Sequence, residues 1–195
     1  MAGETTLLAE AVDLQPVGSL PPGAIEALAA RLSRFVELPV HVLAPLAHEV
    51  RRIPGRDQLD AGGLLEALER AGAGRPRLLV GVAWDDIAVP LFTFVFGLAR
   101  QGGHACVVSF ARTDPAFYGL PPDADLRDGR LVAEILHELG HLATLDHCTD
   151  RGCVMSFAGN IERADTRGSR FCEACAAKLP GWMPRPRIEP RRPSD

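Results

Sequence analysis

Residues 137–155 read HELGHLATLDHCTDRGCVM, with three histidines, two cysteines and a glutamate directly after the first histidine. His137 and His141 are four residues apart on a predicted helix, which puts both imidazoles on one face about one turn apart. Two ring nitrogens so placed can share one metal ion. Glu138 points around the helix from that face but stays beside the metal, where it can reach a water and act as general base. Leu131, Val132, Ile135, Leu136, Leu139 and Leu142 can bury most of the helix. The histidines are then polar intrusions unless a metal or another partner satisfies them.

A bare HExxH also arises by chance in helices whose His and Glu merely face solvent. His147, six residues beyond His141 and past the predicted helix end, changes the odds. A turn can bring it back to the metal. Three neutral nitrogens leave a fourth position for water, the arrangement of a catalytic zinc and not of a closed structural one.

The chain has five cysteines, and four of them, Cys148, Cys153, Cys172 and Cys175, lie close together in sequence. Cys172 and Cys175 form a CxxC at the start of a short predicted helix. Four thiolates from two pairs can close a tetrahedral structural zinc site; disulfides and free buried thiols are the alternatives. Cys148 directly follows His147, so a zinc held there would pin the turn that delivers the third histidine. Cys106 stands apart in the apolar run ACVVSF and reads as a buried, inert thiol.

The 195 residues, 47% of them hydrophobic, suffice for one domain with its own core. We expect that domain over residues 1–180, followed by a Pro- and Arg-rich, disordered tail over 181–195. The net charge of −4 and a pI of about 5.9 exclude a broad basic footprint, so no nucleic-acid partner is expected. The start, MAGETTLLAEAVDL, lacks the basic region of a signal peptide, and the most apolar window, residues 87–99, is broken by Pro90 and too short to span a bilayer. A soluble cytoplasmic monomer with no membrane partner is expected.

Ile25, Leu28, Ala29, Leu32 and Phe35 have helical spacing after Pro21-Pro22-Gly23. Residues 38–43, 77–84 and 105–110 read as strands. LLEALERAG, from Leu64, reads as a helix stopped by glycines, with Asp60 a possible cap ahead of it. The long helix carrying HELGH is expected to be capped near Asp128, and FCEACAAKL to form a short helix. The alternation predicts an α/β fold with a mixed, partly parallel sheet.

The run HELGHLATLDHC, then Cys153, Met155 and the CEAC of 172–175, resembles the archaemetzincins, a branch of the metzincin zinc peptidases. FVFGLA (94–99) and VVSFAR (107–112) are weaker echoes of the same family. The resemblance implies a single compact zincin-type domain in which His137, His141 and His147 hold a catalytic zinc and Glu138 is the general base. It implies a second, structural zinc on Cys148, Cys153, Cys172 and Cys175, and Met155 as an apolar floor beneath the first metal. It further implies that ACVVSF is the sheet-edge strand along which an extended peptide substrate adds.

Thr144 departs from the pattern, because metzincins usually carry glycine three residues after the second histidine. A β-branched residue kept in that left-handed conformation is strained by roughly 1–2 kcal/mol. The turn would either bear the strain or shift and move His147. Two functions follow: a zinc-dependent peptidase acting on peptides or proteins, and an inactive, zinc-stabilised binding module. His41, His48 and His104 have no ligand spacing and read as surface or hydrogen-bonded core, and nothing local supports an oxyanion role for Tyr118.

Overall fold

The structure, a computed structural model, describes residues 9–47 and 51–183. His48 and the tail from residue 184 lie outside the described residues.

Five strands form the main sheet: β1 (Ala11–Val17), β2 (Val40–Val42), β4 (Arg77–Ala83), β6 (Gly97–Ala99) and β7 (Ala105–Ser109). Their order is β2-β1-β4-β7-β6; the first four are parallel, and β6 runs antiparallel to β7. Two short strands, β3 (Leu59–Asp60) and β5 (Ile87–Ala88), pair separately. The expected mixed, partly parallel sheet is present.

The continuous apolar runs of β4 and β7 are explained by helices on both faces. Val80, Val82, Cys106 and Val108 face α1 (Ala24–Leu32) and α3 (Ala124–Leu142), whereas Leu79, Ala105 and Val107 face α2 (Ala61–Gly72). Leu131, Ile135 and Leu139 of α3 are fully buried in the first of these cores. Truncating any of them to alanine is expected to cost about 2–5 kcal/mol.

Several details differ from the sequence-based expectation. β1 was not anticipated, because Asp13, Gln15 and Pro16 interrupt its apolar pattern; Asp13 is nevertheless buried, bonded to Arg77 and His41. Helix α3 is capped five residues earlier than expected. Asp123 is the cap, accepting from the Leu126 N–H at 2.9 Å, while Asp128 lies inside the helix on Arg127. Helix α2 begins at Ala61, immediately after Asp60, whose side chain accepts from Gly62. ACVVSF is not the sheet edge. β7 sits between β4 and β6, and the edge strand is β6.

The C-terminal third adds α4 (Ile161–Arg167), whose residues show no apolar periodicity, and α5 (Glu173–Ala176) inside the expected short helix. Trp182 accepts a backbone hydrogen bond from Glu37, and Met183 is buried, so packed chain continues to that residue. Among the described residues no helix is long and apolar enough to cross a membrane.

Candidate metal centre and cleft

The last two turns of α3 present His137 and His141 toward one point, with their Nε2 atoms 3.1 Å apart. The other ring nitrogen of each is committed. His137 Nδ1 donates to the Val154 carbonyl at 2.7 Å, and His141 Nδ1 donates to the Leu145 carbonyl at 2.8 Å. Carbonyls only accept, so both Nδ1 atoms carry the proton and both Nε2 atoms present lone pairs to each other. Two facing lone pairs at this distance repel unless a cation lies between or beside them. His147 completes the group, with all three ligand nitrogens within 4.8 Å of one another. This donor set and its fixed tautomers suit a zinc ion. Burial, followed by the nearby Arg167, holds the His137 pKa down to about 3, so this imidazole is neutral and ligand-ready at pH 7.

The turn to His147 has the conformation the sequence made problematic. Thr144 has φ +67°, the one positive value at a non-glycine among the described residues. The turn has not shifted. Leu145 N–H donates to the Gly140 carbonyl at 2.9 Å and Thr144 N–H to His141 at 3.0 Å, a pattern that closes helices at left-handed residues. Gln101, in the turn between β6 and β7, clamps it from outside. Its amide donates to the Thr144 carbonyl at 3.1 Å and to Asp146 Oδ1 at 3.0 Å. Strain at Thr144 is thus borne locally, and His147 stays with its partners.

Met155 is fully buried and packs on α3 at Gly140, next to His141. A Cβ on Gly140 would sit 2.3 Å from its sulfur, so the helix can rest on this methionine only because residue 140 has no side chain. The same holds at Gly97, where a Cβ would come within 2.6 Å of Glu138 Oε1. The glycine lets the Glu138 carboxyl press against the edge strand.

Glu138 is 4% exposed. Burial drives its pKa well above the usual carboxylate range; the charge of Glu134 pushes the same way, and Arg167 pulls it back. Glu134 and Arg167 were not singled out from the sequence. Glu134 carried a signal, a carboxylate within the apolar run LVAEIL, one turn before Glu138. Arg167 carried none.

The four cysteines converge separately, with their sulfurs within 4.8 Å of one another. Cys148 and Cys172 are 3.7 Å apart at sulfur, and all four thiols are free. A tetrahedron of ~2.3 Å Zn–S bonds has edges of about 3.8 Å, whereas a disulfide needs sulfurs about 2.05 Å apart. Backbone N–H groups of Asp150 and Cys172 point at Cys148 and Cys153 Sγ. Burial pushes the Cys153 thiol up to about 11, so occupation by metal must release its proton. Cys148 N–H donates to the Met155 carbonyl at 2.8 Å, joining the cysteine cluster to the methionine packed on Gly140.

Between β6 and α3 runs a cleft of about 350 Å³, walled by residues 92–99 on one side and Phe157–Gly159 on the other, with the three histidines and Glu138 at its base. β6 pairs with β7 along one edge only; its other edge pairs with no strand among the described residues. A larger hollow of about 650 Å³ opens at the carboxyl ends of β4 and β7, but it holds none of the clustered histidines or cysteines. Cys106 is fully buried, as expected. His104 bonds the Glu69 carbonyl and His41 bonds Asp13, also as expected. Tyr118 donates to the Arg112 carbonyl and does not line the cleft.

With this geometry in hand, comparison with known proteins is informative. The sequence profile of Peptidase family M54 matches residues 78–180. An archaemetzincin from Pyrococcus horikoshii is 44% identical over 103 residues, which are 53% of this chain and 55% of that protein. One from Haloquadratum walsbyi is 32% identical over 174 residues, 84% of this chain and 96% of that protein. The first alignment thus spans about half of the relative's length, the second nearly all of it. Among solved structures, the archaemetzincin of Archaeoglobus fulgidus, crystallised with malonate, superimposes with a TM-score of 0.72 at 30% identity, covering 86% of this chain and 99% of that one. A zinc-dependent peptidase from Methanocorpusculum labreanum gives 0.74 at 28% identity, covering 87% and 100%.

Proposed function

The chain belongs to the archaemetzincins, Peptidase family M54, and on that premise we propose that it is a zinc-dependent metallopeptidase that hydrolyses peptide bonds in the cleft between β6 and α3. His137, His141 and His147 would hold the catalytic zinc. The observation that carries this is the pair of Nε2 atoms 3.1 Å apart, both deprived of their protons by the carbonyls on Nδ1. When bound, zinc supplies Lewis acidity, polarising a carbonyl and lowering the pKa of water toward ~7.

The chain's own groups do the rest. Glu138 takes the proton of the attacking water and delivers it to the leaving amine. Its burial beside Glu134 raises its basicity, and Gly97 leaves its carboxyl room at the cleft base. The free edge of β6 offers backbone groups to an extended peptide, which would lie as a further strand across the histidines. Phe157 and the segment from Phe92 wall that strand with apolar surface.

Cys148, Cys153, Cys172 and Cys175 would hold a second, structural zinc, giving two per chain. Met155 would serve as the floor of the first site. The chain acts as a cytoplasmic monomer of the metzincin type, one domain whose packed chain reaches Met183 and so passes the expected boundary at 180; four unbridged thiols this close fit a reducing compartment. The rival function, an inactive binding module, drew its support from Thr144. That support weakens where the turn carries the strain and His147 keeps its place.

The test is to incubate zinc-loaded protein with a mixed peptide library, with Glu138→Ala alongside, and identify products by mass spectrometry. Products made by the native chain alone are expected. Equal cleavage by the variant would remove Glu138 from the mechanism, and no cleavage by a protein holding both zincs would favour the binding module.

A further inference from the structure

Arg167 ends α4 and is 3% exposed. Its Nη2 donates to Glu134 Oε2 and its Nη1 donates to the Ser156 carbonyl at 3.3 Å; the same Nη1 packs 3.1 Å from His137 Nδ1, a contact with the ring edge and not a hydrogen bond, because that nitrogen's proton goes to Val154. Its Nε–H is buried without a partner. One guanidinium therefore touches three elements: α3 through Glu134, the segment after Met155 through Ser156, and the ring of His137. Glu134 is 5% exposed and lies one turn before Glu138 on α3.

Stability alone is a poor account of this pair. A buried ion pair replaced whole by apolar side chains is commonly neutral or stabilising, and here one N–H is left unsatisfied as well. What distinguishes the pair is where it ends. Its cationic end lies against His137 and the carbonyl-bearing segment that fixes the tautomer of that ring. Groups that orient ligands in this way commonly change metal affinity by 10–100-fold.

We propose that Arg167 and Glu134 form a positioning pair for the metal centre, in which Glu134 holds the guanidinium in place and Arg167 buttresses the His137 ring against the Val154–Ser156 segment that accepts its Nδ1 proton. The inference rests on the role proposed above for His137. Neither residue of the pair touches substrate; both act through others.

The test uses the full chain with three variants: Arg167→Met, Arg167→Lys, and the double variant Glu134→Leu/Arg167→Met. The double variant removes both charges together, so it keeps the question answerable if a lone unpaired charge prevents the single variant from folding. Zinc is titrated out with a chromophoric chelator, and cobalt is substituted for zinc to read the absorption of the histidine site. We expect the double variant to fold, to retain the cysteine-held metal, and to lose the histidine-held metal at 10–100-fold lower chelator activity, with an altered cobalt spectrum. Arg167→Lys, which keeps a donor and the charge, should recover part of the affinity. Where cleavage is measurable, kcat should fall with KM unchanged. A double variant with native zinc affinity and a native cobalt spectrum would overturn the proposal and leave the pair a packing feature. Both metal readouts stand if the native chain cleaves no peptide, so failure of the peptidase function and failure of this inference are distinguishable.

Discussion

The histidine and cysteine clusters lie side by side and are built to opposite plans. The cysteines offer four like donors, two of them buried, and receive backbone N–H groups at sulfur. Such a site is closed: every tetrahedral position has its ligand from the chain. The histidines offer three donors, graded from buried His137 to exposed His147, and open onto a cleft. Their neighbour is a carboxylate instead of a fourth ligand. Two clusters one residue apart in sequence, at His147 and Cys148, therefore divide rigidity from reactivity. A hydrogen bond from Cys148 N–H to the Met155 carbonyl links the two clusters.

That comparison can be broken most severely at the cysteines. Cys175→Ser should release the structural zinc and cost several kcal/mol of a metal-coupled folding energy of about 10 kcal/mol or more. It should release the histidine-held zinc too. His141→Ala should lose only the latter, as metal analysis of the two purified variants would show. If Cys175→Ser kept a native histidine site, the clusters would be independent.

Glu138→Ala is the next largest effect, confined to reactivity. Cleavage should fall by ~10²–10⁴-fold with zinc content unchanged, measured as kcat/KM against bound metal. Gly140→Ala acts where Met155 packs on α3. The added methyl would meet the Met155 sulfur, and overpacking of this kind costs about 1–3 kcal/mol, readable in urea denaturation. The smallest effect sharpens the contrast within the turn. Thr144→Gly relieves the left-handed strain, and a stabilisation of about 1 kcal/mol would raise Tm by roughly 2–4 °C. A fall in Tm would mean that the threonine side chain contributes contacts that outweigh its strain.

The helix that carries HELGH was legible because its signal is local. Ligand spacing, an apolar periphery and a β-branched residue at a glycine position all fall within some twenty residues, and Thr144 has the conformation that made it suspect. The cysteines were legible for the same reason, although sequence alone left disulfides open until sulfur separations were available. The rest depends on information not contained in any one segment. β1 is central in the sheet, yet its polar Asp13 is tolerable only because Arg77 and His41 arrive from β4 and β2. Which strand forms the edge is set by strand order, so ACVVSF and GLA could not be ranked by composition. Arg167 reaches Glu134 across 33 positions of sequence, and no periodicity announces a contact made by one side chain at a helix end.

The clamp of Gln101 on the Thr144 turn has a thermodynamic consequence. Gln101 lies two residues past the end of β6, and its amide holds the turn that carries His147. On the function proposed above, a peptide that orders β6 by adding to its free edge would also order His147. Linkage makes the coupling symmetric: the factor by which a bound peptide tightens zinc is the factor by which zinc tightens the peptide. Metal retention in this protein would then respond to the supply of substrate.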